Sequence, residues 1–253
     1  MTEDTGDKRA AADAFDEYTA AYVDSDVHRA GDDLDSLADW CAGADRALDV
    51  ATGAGHTAGA ILERGVHKVV AADAAPGMVR TAEREFAGVR GVVADAERLP
   101  FRDDTFDAVA CRIAAHHFPD PAAFVKRVAA VLEPGGTFAF EDNIAPADDD
   151  LDAFLNGIER LRDPTHVRSH RESEWRAFVE NAGFRIEESL VVPKWIDYRD
   201  WVVQLKTPAP ARRELESRFA DPPAGATELF AIEYEEGNVV SFANLKLLVR
   251  ATR

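Results

Sequence analysis

Residues 46–141 alternate between short apolar runs of strand length and longer segments with helical periodicity. Pro76 and Pro121 suit the first turn of a helix, and Gly65 and Gly88 suit its end. The predicted strands are 46–51, 67–72, 89–94, 106–112 and 136–141. Because strands and helices alternate at these lengths, we predict an α/β fold with a parallel sheet covered by helices on both faces.

The flanking segments extend this arrangement. Apolar stripes predict two amphipathic helices before the first strand, at 8–23 and around Leu34, Leu37 and Trp40. Beyond residue 142 we predict two helices, a strand, a helical and proline-rich stretch and a last strand, at 151–161, 173–182, 186–192, 198–223 and 239–251. The chain is therefore divided into an N-terminal helical cap, a core and a C-terminal part that completes the sheet, at 1–44, 45–142 and 143–253, all within one domain.

The first strand runs into a glycine turn within Ala47–Ile61. Gly53 and Gly55 permit a tight turn, and helix-forming residues follow. Such a turn directs backbone N–H groups and the positive end of a helix dipole into a crevice, so we expect a ligand with anionic or polar groups there. A glycine connection between two core elements is the alternative for this stretch taken alone.

Charge and composition limit the kinds of partner. The chain of 253 residues has a net charge of −18, which disfavours direct nucleic-acid binding because phosphate neutralisation requires clustered Lys and Arg. The chain has only six Lys but 23 Arg, and twelve of its first forty residues are acidic. This composition suggests a halophilic source. No apolar run has membrane-span length and the first residues lack a signal peptide, so we expect a cytoplasmic protein without membrane insertion. Cys41 and Cys111 suit neither a disulfide framework nor a metal site.

Ligands of open parallel sheets bind at the carboxyl ends of the strands, which makes the residues after each strand informative. These positions hold Asp73 after strand two, Asp95 after strand three, and Arg112, His116 and His117 after strand four. A carboxylate such as Asp73 can accept hydrogen bonds from both ribose hydroxyls, which indicates a nucleoside ligand. A helix N-cap or a solvated loop acid is the alternative interpretation of Asp73.

Two kinds of nucleoside cofactor are considered for the glycine turn. The pattern Gly53-x-Gly55-x-x-Ala58, with Asp73 twenty residues on, satisfies the dinucleotide fingerprint. Asp49 opposes that assignment, because a carboxylate inside the first strand repels a pyrophosphate and attracts an ammonium group. Asp95 has no part in the dinucleotide fingerprint, whereas it can accept a hydrogen bond from an adenine amine.

A series of motifs lies in regular order between residues 45 and 142. They are Leu48-Asp49-Val50-Ala51-Thr52-Gly53-Ala54-Gly55-His56-Thr57, Val69-Val70-Ala71-Ala72-Asp73, Val92-Val93-Ala94-Asp95-Ala96-Glu97-Arg98-Leu99-Pro100-Phe101, Phe106-Asp107-Ala108-Val109, His116-His117-Phe118 and Leu132-Glu133-Pro134-Gly135-Gly136. Their order and spacing resemble those of the class I S-adenosylmethionine-dependent methyltransferases. The most similar subgroup includes the quinone-biosynthesis C-methyltransferases and many small-molecule methyltransferases, although Thr57 replaces the third glycine of the usual first motif.

The resemblance implies a doubly wound Rossmann-like sheet of seven strands, mostly parallel with an antiparallel last strand, and a helical insertion near the C-terminus. It also implies S-adenosylmethionine as cofactor and S-adenosylhomocysteine as product. The two glycines would lie against the methionine part of the cofactor, and Asp49 would face its ammonium group. Asp73 would bind the ribose, and Asp95 and Ala96 would bind the adenine. Met78 either packs against the adenine or fills the core of its helix. The cofactor-binding residues expected on this basis are Asp49, Gly53, Gly55, Asp73, Met78, Asp95, Ala96, Arg112 and Tyr22.

Methyl transfer requires in-line positioning of the acceptor, and it requires a base only where the acceptor loses a proton. His116 and His117 follow strand four beside the expected methyl position, and a neutral imidazole can accept that proton, so both are candidate catalytic residues. His166 and Arg168 are interpreted as solvated loop residues, with acceptor recognition as the alternative. Six aromatic residues either form a lid and acceptor pocket or belong to the core, which is favoured for Trp201: Tyr18, Tyr22, His28, Trp195, Tyr198 and Trp201.

The predicted function is S-adenosylmethionine-dependent methyl transfer to an O, N or C nucleophile of a small molecule. The alternatives are an NAD(P)-dependent oxidoreductase and a non-catalytic nucleoside-binding module. The expected partner is the small-molecule acceptor, without nucleic acid or a metal ion, and a homodimer is one option for the assembly.

Overall fold

The computed structural model describes residues 31–253. Its helices are α1 (Asp32–Cys41), α2 (His56–Glu63), α3 (Pro76–Glu85), α4 (Pro121–Val131), α5 (Asp149–Arg162), α6 (Glu172–Asn181), α7 (Tyr198–Gln204), α8 (Ala209–Ala220) and α9 (Ala226–Leu229). Its strands are β1 (Ala47–Val50), β2 (Val69–Asp73), β3 (Val89–Val93), β4 (Phe106–Arg112), β5 (Leu132–Asn143), β6 (Arg185–Asp197), β7 (Glu233–Glu235) and β8 (Asn238–Thr252). Within these residues no helix combines the length and apolar character needed to cross a membrane. The predicted helix at 8–23, and Tyr18, Tyr22 and His28, lie outside the described residues.

One sheet contains all the described strands, in the order β3-β2-β1-β4-β5-β8-β6, with β7 paired to β8. Strands β1 to β5 pair in parallel, and β8 runs antiparallel between β5 and β6. The predicted doubly wound, mostly parallel sheet with an antiparallel last strand is confirmed. The prediction missed β7, whose three residues are all exposed and carry no apolar alternation. Strand order reverses between β1 and β4, which is where open α/β sheets bind their ligands.

Local signals account for where several helices begin. Pro76 and Pro121 occupy the first turns of α3 and α4, as predicted, where a missing backbone N–H costs nothing. Asp120 Oδ1 accepts the Ala123 N–H (2.9 Å) and caps α4. Asp148 Oδ1 accepts the Leu151 N–H (3.1 Å) in the same way at α5. These caps fix the entry of each helix onto the sheet.

Both faces of the sheet are covered by helices. One face packs against α1, α2 and α3 through residues such as Leu37, Ile61 and Ala82. The opposite face packs against α4 and α6, where Phe124 and Trp175 are completely or almost completely buried. Helices α5, α7, α8 and α9 form a separate cluster over the first half of β8.

The aromatic residues of the late insertion belong mainly to this third cluster. Trp201 packs against Phe242 with ring centroids 5.1 Å apart, and Tyr198 packs against Phe219 at 5.4 Å. Both residues are buried, which confirms the core interpretation for Trp201 and places Tyr198 beside it. Trp195 on β6 is instead 58% exposed.

Candidate active site

The turn after β1 is shaped by two glycines with left-handed backbone angles. Gly53 has φ 55° and Gly55, which precedes α2, has φ 93°. A methyl group built on Gly55 would lie 2.7 Å from Cβ of Ala82, so the missing side chain lets α3 pack against the turn. A methyl group built on Gly53 would meet no atom of residues 31–253 within 4 Å. Among the described residues nothing packs against Gly53, whereas Gly55 is enclosed by protein.

We expect Gly55→Ala to lower the free energy of unfolding by about 2–4 kcal/mol, because it combines an unfavourable φ with overpacking against α3. Gly53→Ala is the matched control, since it carries a similar φ penalty of about 1 kcal/mol without the clash. Urea unfolding of both variants measures the difference. Equal losses for the two variants would contradict the packing role of Gly55.

Asp73 at the end of β2 connects the glycine turn to the start of α3. Its Oδ2 accepts the Gly53 N–H and its Oδ1 accepts the Ala75 N–H, both at 2.9 Å. The side chain thus holds the glycine turn and the start of α3 in place, at the position where the sequence predicts a ribose acceptor.

Asp49 lies beneath the same turn and is almost completely buried, with 1% of its surface exposed. Its Oδ2 accepts the Thr52 hydroxyl (2.5 Å) and the Ala58 N–H in the first turn of α2 (3.1 Å). Burial raises the pKa of Asp49 to about 7, although these hydrogen bonds act in the opposite direction. A buried carboxylate with this pKa favours a cationic neighbour, because a positive charge compensates for lost hydration.

The third acid of the predicted nucleoside site follows β3. Asp95 is half-buried, and its Oδ1 accepts the Glu97 N–H (2.9 Å) at the start of a short 3₁₀ turn, Ala96–Arg98. Ala96 is buried there, and Met78 on α3 is only 2% exposed. Met78 is therefore enclosed by protein, whereas Asp95 is only half-buried.

Arg112 at the end of β4 is held in a buried ion-pair network. Its Nε lies 2.9 Å from Glu141 Oε2 on β5, and its guanidinium lies 2.6 Å from Asp33 Oδ2 on α1. Lys194 of β6 contacts the same Asp33 carboxylate at 2.9 Å. Only 3% of the Arg112 side chain is exposed. The network ties α1 to three strands on the side of β1 away from Asp73 and Asp95.

His116 and His117 lie together after β4, with ring centroids 4.2 Å apart. His116 Nδ1 lies 2.6 Å from Asp142 Oδ1 at the end of β5, and this carboxylate is fully buried. Burial lowers the pKa of His116 well below its usual value, with further lowering by His117 and Lys246, and it raises the pKa of Asp142 to about 6. The pair is therefore a neutral imidazole beside a carboxylate at neutral pH. His117 Nδ1 instead contacts the Thr165 carbonyl oxygen at 3.0 Å.

The loop between α5 and α6 closes over these histidines. The N–H groups of Val167 and Arg168 both donate to the His116 carbonyl oxygen at 3.0 Å. His166 is 5% exposed, and its ring lies 5.4 Å from that of His116. The interpretation of His166 as a solvated loop residue is wrong, because the loop folds inward onto the His116 backbone. Arg168 forms a 2.7 Å ion pair with Asp152 and is half-buried.

Comparison with known proteins assigns the family. A family profile described as a methyltransferase domain matches residues 48–140. The uncharacterized methyltransferase YcgJ of Bacillus subtilis is 34% identical over 250 residues, which cover 94% of this chain and 97% of YcgJ. This chain belongs to the class I S-adenosylmethionine-dependent methyltransferases. The crystal structure of a candidate methyltransferase from Bacillus halodurans C-125 superimposes with a TM-score of 0.83 at 38% identity, covering 88% of this chain and 99% of that one. The ubiquinone/menaquinone biosynthesis C-methyltransferase UbiE of Desulfotalea psychrophila is 35% identical over 118 residues, 45% of this chain and 47% of that protein.

Membership of the methyltransferase family bears on the two cofactors considered from the sequence. The family implies the use of S-adenosylmethionine and so favours it over a dinucleotide. Within residues 31–253, no cluster of three or more His, Cys, Asp or Glu side chains is arranged to hold a metal ion.

Sequence reasoning missed two polar residues of this methyltransferase that orient its histidines. Asp142 follows the predicted strand 136–141 directly, so the rule that singled out Asp73 and Asp95 also applies to it. Asn156 lies inside helix α5, and its Oδ1 contacts His166 Nε2 at 3.0 Å. No local pattern reveals Asn156, because the contact depends on how the α5–α6 loop folds back.

Proposed function

We propose that this methyltransferase transfers the methyl group of S-adenosylmethionine to an O, N or C nucleophile of a small molecule. The observation that carries the proposal is the buried carboxylate of Asp49 beneath the Gly53 turn, with Asp73 and Asp95 at the ends of the next two strands. An ammonium and a nucleoside supply the donors that these oxygens accept, whereas a pyrophosphate would meet a buried anion. The residues present therefore fit this cofactor.

The strand order supports one direction for the bound cofactor. Asp73 and Asp95 lie on the β2 and β3 side of β1, and β4 and β5 lie on the other side. Asp73 and Asp95 would hold the adenosine of the cofactor, which would leave the β4 and β5 side for the methyl acceptor. His116 follows β4 and Asp142 lies at the end of β5, which supports an acceptor side around this pair.

The cofactor, when bound, supplies a methyl group already activated on a sulfonium. The protein then contributes positioning, exclusion of water and, where the acceptor carries a proton, a base. His116 is the favoured base because Asp142 stabilises the positive charge that its ring gains on protonation. His117 is the second candidate, but its Nδ1 contacts a neutral carbonyl oxygen.

Calorimetric titration with S-adenosylhomocysteine and NADH tests the proposed function. We expect micromolar or tighter binding of S-adenosylhomocysteine and no binding of NADH. Asp73→Ala should weaken S-adenosylhomocysteine binding at least tenfold, about 1.4 kcal/mol, because it removes the ribose acceptor and frees the Gly53 loop.

Asp107→Ala is the matched control for this substitution. Asp107 also accepts two backbone N–H groups, from Asp45 at 2.9 Å and Arg46 at 2.7 Å, but it lies at the start of β4. The control should leave the affinity within about twofold. An unchanged affinity in Asp73→Ala would remove the ribose assignment, and NADH binding in place of S-adenosylhomocysteine would overturn the function.

The affinity for S-adenosylhomocysteine should depend on pH through Asp49. Because burial raises the pKa of this carboxyl to about 7, the group is protonated below that pH and cannot attract the ammonium. We expect the Kd to increase as pH falls below about 7, by up to about tenfold per pH unit. Asp49→Asn should bind more weakly at pH 8 and flatten this dependence. A wild-type Kd that stays constant between pH 6 and 8 would contradict the role of Asp49.

A further inference from the structure

The partner of His116 determines which ring nitrogen carries the proton. Asp142 Oδ1 lies 2.6 Å from His116 Nδ1 and also accepts the Asn143 N–H at 2.7 Å. A carboxylate oxygen can only accept here, so Nδ1 is the protonated nitrogen of the neutral ring. His116 Nε2 consequently carries a lone pair.

His166 has the opposite tautomer. Its Nε2 lies 3.0 Å from Asn156 Oδ1. The Asn156 amide has one consistent orientation, because its Oδ1 accepts the Ser169 N–H at 2.7 Å and its Nδ2 donates to Asp152 Oδ1 at 2.7 Å. His166 Nε2 must therefore donate, and the lone pair lies on Nδ1.

Both lone pairs remain accessible. Within residues 31–253, no hydrogen bond reaches His116 Nε2 or His166 Nδ1. Neither nitrogen is one of the completely buried side-chain atoms without a hydrogen-bond partner, so both are accessible. The two rings are 5.4 Å apart and inclined by 31°. On the side of the site proposed for the methyl acceptor, each of these two rings thus offers a nitrogen that can accept a hydrogen bond. The N–H group of each ring is already used in a hydrogen bond to the protein.

We propose that the methyl acceptor carries two neighbouring hydrogen-bond donors, a reacting hydroxyl that binds His116 Nε2 and a second O–H or N–H group that binds His166 Nδ1. This inference rests on the proposed function and specifies its acceptor class. Asp142 and Asn156 are positioning residues, because each sets the tautomer of one histidine. A molecule with one donor would leave one nitrogen without a partner after displacing water, and such a loss lowers binding about fivefold or more.

The proposed step is a direct displacement. The acceptor O–H bond breaks and its proton moves to His116 Nε2, while the oxygen forms a bond to the methyl carbon. The carbon–sulfur bond breaks and its electron pair stays on sulfur, which changes the sulfonium into a thioether. The products are a methyl ether, S-adenosylhomocysteine and a proton that His116 releases to solvent.

Nitrogen NMR of the imidazole rings tests the tautomers in the full chain. We expect a pyridine-type shift for His116 Nε2 and for His166 Nδ1 at pH 7.5, and pyrrole-type shifts for their other nitrogens. Replacement by His116→Gln and by His166→Phe assigns the signals. A pyrrole-type shift for either His116 Nε2 or His166 Nδ1 would overturn the proposal.

Matched acceptor pairs test the substrate class. Catechol against phenol and cis-1,2-cyclohexanediol against cyclohexanol differ only in the second donor, and 2-aminophenol replaces it by an amine. We expect kcat/KM to be at least fivefold higher for the two-donor member of each pair. His166→Phe should reduce that ratio to about one, whereas His170→Phe, which changes another partly buried histidine of the same region, should leave it unchanged.

Equal rates within a pair, turnover of none of the two-donor probes, or an unchanged ratio in His166→Phe would each overturn the proposed acceptor class. Binding of S-adenosylhomocysteine is measured beside these assays. If that binding persists while the acceptor results fail, the acceptor class is wrong and the proposed function stands; loss of both removes the function as well.

Discussion

Replacing His116 by glutamine is expected to reduce kcat by about 10²–10⁴-fold, the usual contribution of a positioned general base. Glutamine keeps a polar side chain but cannot take a proton from the acceptor. The affinity for S-adenosylhomocysteine should stay within about twofold, because the proposed cofactor acids lie on β1 and at the ends of β2 and β3, whereas His116 follows β4. His67→Gln, at an exposed position before β2, is the control and should leave kcat unchanged.

The pH profile gives a second measurement of the same role. Burial raises the pKa of Asp142 to about 6, so its carboxylate is protonated below that pH and no longer stabilises a charged His116 ring. We expect the wild-type kcat to fall as pH drops through about 6. A saturating rate in His116→Gln close to that of the wild type would show that His116 is not the base.

Arg112→Met should produce the largest loss of stability, about 3–5 kcal/mol. The substitution leaves Glu141 and Asp33 as buried carboxylates without their guanidinium partner, and breaking such pairs is costly because the remaining charges stay desolvated. For a chain of this size the loss corresponds to a fall in Tm of roughly 6–20 °C. Calorimetry or thermal circular dichroism measures it.

Two further variants make this prediction specific. Arg250→Met breaks an exposed pair with Glu188 at 3.4 Å, and it should cost at most about 1 kcal/mol. Adding Glu141→Gln to Arg112→Met removes one of the stranded charges and should recover part of the loss. If Arg112→Met is no more costly than Arg250→Met, the buried network does not stabilise the fold.

The sheet was predictable from sequence because its signals are local. Prolines at the starts of α3 and α4 and the apolar runs between them fix the alternation of strands and helices. The ends of strands are less local: β6 extends over Arg185–Asp197, beyond the predicted 186–192, because it continues to pair with β8. β8 itself matches the predicted 239–251 within one residue at each end.

The proposed cofactor acids and the proposed acceptor side differ in how far the sequence could predict them. Asp49, Asp73 and Asp95 each follow or lie within an identifiable strand, so the topology alone brings them to one edge. The bond between Asn156 and His166 depends on an inward fold of the α5–α6 loop, which no periodicity encodes. Likewise, the sequence does not predict that Ala82 of α3 lies close to Gly55, because this proximity depends on how α3 packs against the turn.

The helical insertion has a hydrophobic cluster of its own, built from α5, α7, α8, α9 and β8. Its packing is largely separate from the two clusters around the glycine turn and the proposed cofactor acids. We therefore expect mutations that remodel the insertion and the adjoining loop with His166 to alter acceptor choice while they leave the proposed cofactor site intact. Such a division allows new specificities to evolve, or to be selected in directed evolution, on an unchanged methyl-donor framework.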